Sequence, residues 1–259
     1  MAAHQSQTPA AAAAPNTPLG RVIVAFSTKG GVGKSRLAEE VVRAARERHG
    51  LGVMAGACVA YGEANVWWPL ASAIRASLGL QDAAADSLRR VGAERAAELL
   101  GLAVDHPEIQ RIGEVFLYLN GEPSGLDRLD AVRAREELTH GISAILQARC
   151  KRGPMMLAIA DVHWSDNVVL SLFEQLLTNL SGLPFVLLTT ARPDTDLAWP
   201  PTSSSYTSLH LRLEPLDRAS TEELAASILG DAADATTIAS LYERSGGNPL
   251  FLEELTALV

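Results

Sequence analysis

Two cysteines in 259 residues, Cys58 and Cys150, exclude a disulfide framework and offer no metal-ligand spacing. Both read as small buried hydrophobes in a reducing cytoplasm. No uninterrupted apolar run approaches the ~20 residues that span a bilayer, so no membrane helix is expected. Positive charge is in deficit. With 22 Lys and Arg against 30 Asp and Glu, the formal net charge of −8 argues against direct binding to nucleic acid or to anionic membranes. No internal repeat of solenoid length is visible. The first 18 residues are mostly Ala, Pro, Gln, Thr and Ser without periodicity. They lack the basic start and continuous apolar centre of a signal peptide, so a disordered tail is expected over 1–18.

What is present is an ordinary globular composition, 47% hydrophobic and 20% charged, long enough for one large core or a core with a small satellite domain. The most informative stretch is Ser27-Thr28-Lys29-Gly30-Gly31-Val32-Gly33-Lys34-Ser35. It follows the apolar run Val22 to Phe26 and opens onto a helical pattern near Arg36. A strand that turns through glycines into a helix aims backbone N–H groups and a helix N-terminus at one point, which is an anion-binding geometry. In a P-loop of this kind Lys34 reaches the terminal phosphates of a nucleotide and Ser35 ligates Mg²⁺. A nucleotide phosphate and Mg²⁺ are therefore expected at this loop.

The elements that follow alternate. Leu37, Val41 and Ala45 share one helical face, with Glu39, Arg43 and Arg46 elsewhere. Gly50 and Gly52 stop that helix, and Val53 to Val59 reads as a second strand. Pro69 suits the first turn of a helix running to about Leu78, and Trp67 and Trp68 are expected to contribute core area. Residues 83 to 150 are mostly helical in pattern, broken by the turn cluster Asn120 to Gly125. Met155 to Ala160 and Phe185 to Leu188 are short apolar runs suited to buried parallel strands, and Leu209 to Leu213 alternates like an edge strand. The fold class expected is α/β: a P-loop parallel sheet flanked by helices over 19–205, with a small C-terminal helical lid over 206–259.

Two resemblances compete at the phosphate loop. Thr28 stands where a standard loop has glycine, and Lys29 follows it. That pattern resembles the deviant P-loop of the chromosome- and plasmid-partitioning ATPases, in which the extra lysine touches phosphate across a dimer. Those proteins carry a paired-aspartate segment at the end of the second strand, where this chain reads Ala55-Gly56-Ala57-Cys58-Val59-Ala60.

The second resemblance is carried by Ala160-Asp161-Val162-His163-Trp164-Ser165-Asp166. It is similar to the acidic His-Trp box of the STAND-type ATPases, relatives of the AAA+ group found in bacterial adenylate and guanylate cyclases and in large helix-turn-helix regulators. Lys34 to Glu40, Tyr61-Gly62-Glu63 with Trp68-Pro69-Leu70, Thr189 to Pro193 and Gly247 to Leu255 resemble further boxes of that group, in order. The resemblance implies nucleotide contacts from Lys29, Gly30, Gly31, Val32, Gly33, Lys34, Ser35 and Arg36. It implies Mg²⁺ ligation by Ser35 and Asp161, catalytic roles for Asp161 and the sensor arginine Arg192, and a lid proline, Pro249, packed near the base.

One departure bears on chemistry. The family has two adjacent acids where this chain has Ala160-Asp161. Either the first acid is missing, or Asp161 is the metal ligand and Val162 occupies the water-orienting position. Asp166 or Glu63 is a compensating acid or a solvated one. Glu253 and Glu254 read as a solvated helix face, and Arg192 either reaches the γ-phosphate or pairs with a surface acid. The expected function is an ATP-binding regulatory switch module with slow hydrolysis. The alternatives are a binding-only remnant and a partitioning-type dimeric ATPase using Lys29. Protein partners or an effector domain of a longer regulator are expected, in the cytoplasm, with neither nucleic acid nor membrane.

Overall fold

The computed structural model describes residues 22–28, 34–59, 65–192, 199, 201, 203–230 and 234–258. The expected tail, the glycine segment 29–33 and the Tyr61-Gly62-Glu63 connector lie outside the described residues. Five strands, β1 (Val22–Thr28), β2 (Gly52–Ala57), β3 (Met155–Ala160), β4 (Phe185–Ala191) and β5 (Thr207–Leu213), pair in the order β2-β3-β4-β1-β5. All four pairings are parallel. Parallel neighbours need crossovers, and helices supply them. Helix α1 (Lys34–His49) joins β1 to β2 and α6 (Asn167–Asn179) joins β3 to β4. Between β2 and β3 lie α2 (Trp68–Leu78), α3 (Ala85–Leu100), α4 (Pro107–Leu119) and α5 (Ala131–Cys150).

The two-residue period of a strand sorts the core into two layers. On β3, Met155, Leu157 and Ile159 join the large core built with α2 to α6, while Met156 and Ala158 face the other way. On β4, Phe185 and Leu187 share the first layer, and Val186 and Leu188 the second. The second layer is capped by Leu37, Val41 and Ala45 of α1, the face read from the sequence. Trp67 is buried as expected. Trp68 is not: it is 37% exposed, because the helix begins at that residue and turns its ring outward from the core.

Two boundaries shift. Strand β2 ends at Ala57, two residues before Val59, where the chain leaves the sheet. Strand β5 pairs along the whole of β1, from Val22↔Thr207 to Thr28↔Leu213, so the sheet extends beyond residue 206. The all-helical part begins at α7 (Arg218–Leu229) and continues through α8 (Ala235–Ser245) and α9 (Pro249–Thr256). These three helices pack on one another through Ala225, Leu241 and Leu252, a cluster separate from both sheet layers.

One glycine fixes how closely α2 approaches the sheet. A Cβ on Gly56 would lie 2.0 Å from the Pro69 carbonyl oxygen, a backbone atom that cannot swing aside. Gly56→Ala is therefore expected to cost roughly 1–3 kcal/mol by overpacking, or about 2–12 °C in Tm for a chain of this size. Gly153→Ala, whose Cβ meets nothing within 4 Å, is the control. Equal melting temperatures for the two variants would contradict the close approach.

Candidate functional site

Strand order decides which groups meet. Strand β4 lies between β1 and β3, so the ends of β1, β4 and β3 stand in a row, each about 5 Å from the next. The first ends at Thr28 and leads into the glycine segment, with α1 resuming at Lys34. Lys34, Ser35 and Arg36 thus form the first turn of a 16-residue helix, whose free N–H groups and positive dipole end attract anions. Ser27 is paired with Ala191 of β4, so Arg192, the next residue, leaves the sheet beside the start of the loop.

Asp161 leaves β3 on the other side of β4. Its φ of +57° is the only positive value at a non-glycine position among the described residues. Asp tolerates this left-handed conformation better than most residues, and such strain collects at functional sites. The turn is pinned by a hydrogen bond from the Asp161 backbone N–H to Thr190 Oγ1, 2.9 Å. It swings a short 3-10 turn, Val162–Trp164, across the end of β4. His163 is buried, its side chain 1% exposed, with Nδ1 3.9 Å from Asp161 Oδ1. Its ring lies 4.8 Å from that of Trp164. The guanidinium of Arg192 sits over the Trp164 ring, 5.3 Å from its centroid. Arg192 was expected at the γ-phosphate or in a surface ion pair. In the structure the nearest aromatic face holds it, a contact that the spacing of two separate motifs does not reveal.

Ala160 faces a cavity of about 190 Å³ between α1 and the sheet, shared with Ala38, Glu39, Ala55, Ala158 and Thr190. Small side chains leave this space open, and an acid at position 160 would point into it. Glu39 was read as lying away from the buried face of α1, but it lines the same cavity. On the far side of β3, Cys58 Sγ is 2.9 Å from Ser165 Oγ. Burial pushes its thiol up from the ordinary value, so it stays protonated at neutral pH and serves as packing. Asp166 caps α6 through its bond to the Val168 N–H, which accounts for that acid without a metal role.

In the helical part, Gly247, Asn248 and Pro249 build the start of α9. Gly247 has φ +75°, and a Cβ there would sit 2.3 Å from the Leu216 carbonyl oxygen. The Asn248 side chain accepts from the Leu250 N–H at 3.0 Å and caps the helix, and Pro249 takes its first turn. One turn on, Glu253 forms an ion pair with Arg36 of α1, across 217 residues of sequence. Glu253 is therefore more than a solvated acid: with its side chain 27% exposed, it ties α9 to the helix that follows the phosphate loop.

The sequence matches the AAA ATPase domain family across residues 27–188. The chain belongs to that family. The matched span runs from Ser27 through the acidic box to Leu188 in β4, so it contains the start of α1, Asp161 and Trp164, while Arg192 and the Gly247 to Glu253 segment lie beyond it. Membership supports a nucleotide-binding module. An uncharacterized protein of Rhizobium meliloti is 30% identical over 244 residues, 90% of this chain but 22% of that protein's length. Among solved structures, a Signal Transduction ATPase with Numerous Domains from Pyrococcus horikoshii, which has a tetratricopeptide repeat sensor, aligns with TM-score 0.46 at 16% identity. That alignment covers 91% of this chain and 27% of that one. Drosophila ORC, in a structure bound to DNA, aligns with TM-score 0.39 at 13% identity, covering 90% of this chain and 49% of that one. No helix among the described residues is long and apolar enough to cross a membrane.

The ion pair between α1 and α9 yields a prediction independent of any ligand. Arg36 is 70% exposed, so solvent screens the pair, and such pairs contribute about 0.4–1 kcal/mol. Glu253→Gln is expected to speed amide hydrogen exchange in α9 about two- to fivefold, because that helix opens locally more often. Exchange unchanged from wild type would show that the pair does not hold the helix.

Proposed function

We propose that this chain is a regulatory module that binds Mg²⁺-ATP between the sheet and the C-terminal helices and hydrolyses it slowly. The observation carrying this reading is the row of strand ends β1, β4 and β3, which sets a helix N-terminus, an arginine and an acid side by side. Backbone N–H groups over Lys29 to Gly33 and the start of α1 receive the phosphates, and Lys34 supplies a point charge. Lys29 adds a second cation beside them, and Arg36 and Pro249 lie at the helical boundary of the site. The similarity to STAND-type modules fits a switch read by other parts of a longer regulator, and residues 218–258 form its lid.

The donor set suits magnesium. Among the described residues no group of three His, Cys, Asp or Glu side chains could hold a metal alone. Mg²⁺ does not need one, since it binds through one or two protein oxygens, waters and the substrate phosphates. Ser35 and Asp161 are the oxygen donors, and the ion would neutralise charge on the β- and γ-phosphates. Asp161 holds one place of the usual acidic pair. With alanine at 160 one of the two carboxylates that hold metal and orient water is absent, so binding survives while turnover falls. The same alanine favours the second reading, a binding-only remnant.

Lys34→Ala is expected to weaken ATP binding at least about tenfold by calorimetry, the loss of one charge-assisted contact. Unchanged affinity would remove the basis of the reading. Ala160→Asp or Ala160→Glu is expected to raise the single-turnover rate by at least about tenfold, since a group that positions water or charge is worth that much or more. A wild-type rate already within the ~1–100 s⁻¹ of kinases would contradict the missing-acid account.

A further inference from the structure

We infer that the amino ends of β2 and β3, at the opposite edge of the sheet from the phosphate loop, form a second anion site that takes one phosphate-type oxyanion between Arg149 and Arg152. A cavity of about 220 Å³ opens there, lined by Gly50, Gly52, Leu99, Gly153 and the two arginines. At the ~30 Å³ that one water occupies, it has room for a tetrahedral anion. A drug-sized or nucleotide-sized ligand needs ~300 Å³ or more. Parallel pairing of Gly52 with Met155 brings the last turns of α1 and α5 to this place. Residues 46–50 and 149–152 carry five Lys and Arg, and their one acid, Glu47, is paired with Arg43. In a chain of net charge −8, this edge is locally positive.

The two guanidiniums are held but not neutralised. Arg149 donates from Nη2 to the Ser77 carbonyl at the end of α2. Arg152 donates from Nη2 to the carbonyls of Glu98 and Leu99 at the end of α3, at 3.0 and 2.9 Å. Those carbonyls carry only partial charge. The Glu98 carboxylate turns to Arg95 instead, 3.2 Å away, and among the described residues neither Arg149 nor Arg152 forms an ion pair. Arg149 Nε is buried without a hydrogen-bond partner. Burial, and after it the like charge of Arg152, lowers the pKa of Arg149 from the ordinary arginine value. Both effects come from positive charge that no acid offsets, and an anion in the shared cavity offsets it. Each fork is pinned by one nitrogen, so it is ordered before a ligand arrives, which suits planar recognition of a phosphate. The six residues of β3 set this site about 20 Å from Asp161, so it stands apart from the nucleotide site proposed above.

The experiment titrates inorganic phosphate and, separately, O-phosphoserine into the full chain at fixed ionic strength. Calorimetry reads the affinity and amide hydrogen exchange reads the place. Wild type is expected to bind with a Kd of about 1 mM or tighter, the range of two charge-assisted contacts, and to gain protection over 50–52 and 149–153. The tighter of the two ligands names the source, a free anion or a phosphorylated side chain. Arg152→Gln is expected to weaken binding at least about tenfold, and Arg149→Lys about threefold or more, since it keeps the charge and loses the fork. Lys34→Ala should leave this protection unchanged, which separates the site from the phosphate loop. No protection of these segments in wild type, or protection that persists in Arg152→Gln, overturns the inference and leaves the arginines as caps for α2 and α3. Protection lost in Lys34→Ala, or matched by chloride at equal ionic strength, overturns it as well. Should Arg149→Lys not fold, the exposed Arg152 decides alone through Arg152→Gln.

Discussion

The phosphate segment, the acid Asp161 and Arg192 all leave the sheet at the carboxyl end of a strand, and parallel pairing brings those ends to one edge. The order β2-β3-β4-β1-β5 then sets the spacing. Because β4 intervenes between β1 and β3, the ends of those two strands stand about two strand widths apart, near 10 Å. That gap leaves space for phosphates, a metal and a water, and Arg192 emerges inside it. A sheet with β1 directly beside β3 would bring the acid closer and leave no strand end between them for an arginine.

The same pairing separates two kinds of stability. The sheet and its flanking helices share a large apolar core, whereas α7 to α9 pack around a small cluster of their own. The helical part meets the phosphate-loop helix through an exposed ion pair, Arg36 with Glu253. Contacts of that kind are weak and solvent-screened. A small, separately packed unit held by such a contact belongs to the less stable end of a structure, where moving elements are found.

Much of this was legible in the sequence because it rests on local pattern. Apolar runs such as Met155 to Ala160 lie buried on both faces, as continuous hydrophobicity predicts for a parallel strand. The Gly247-Asn248-Pro249 segment has the cap chemistry that its residue types require. What escaped depends on contacts between distant segments. Glu253 reads as a solvated acid until α9 is set against α1, and Arg192 has no visible partner until the 162–164 turn crosses β4. Trp68 was assigned to the core on ring size, yet the first residue of a helix can turn its ring outward. Strand β5 is exposed along most of its length, with Leu209 and Leu211 facing outward, so its alternation was too weak to mark where the sheet stops.

The proposed module keeps phosphate binding while one half of the acidic pair is lost at Ala160. The most direct test combines ATP titration with single-turnover hydrolysis on the same wild-type sample in Mg²⁺. The expected result is saturable one-to-one binding with turnover well below the ~1 s⁻¹ lower range of kinases. Saturable binding with turnover inside that range, or no ATP binding at all, would contradict it.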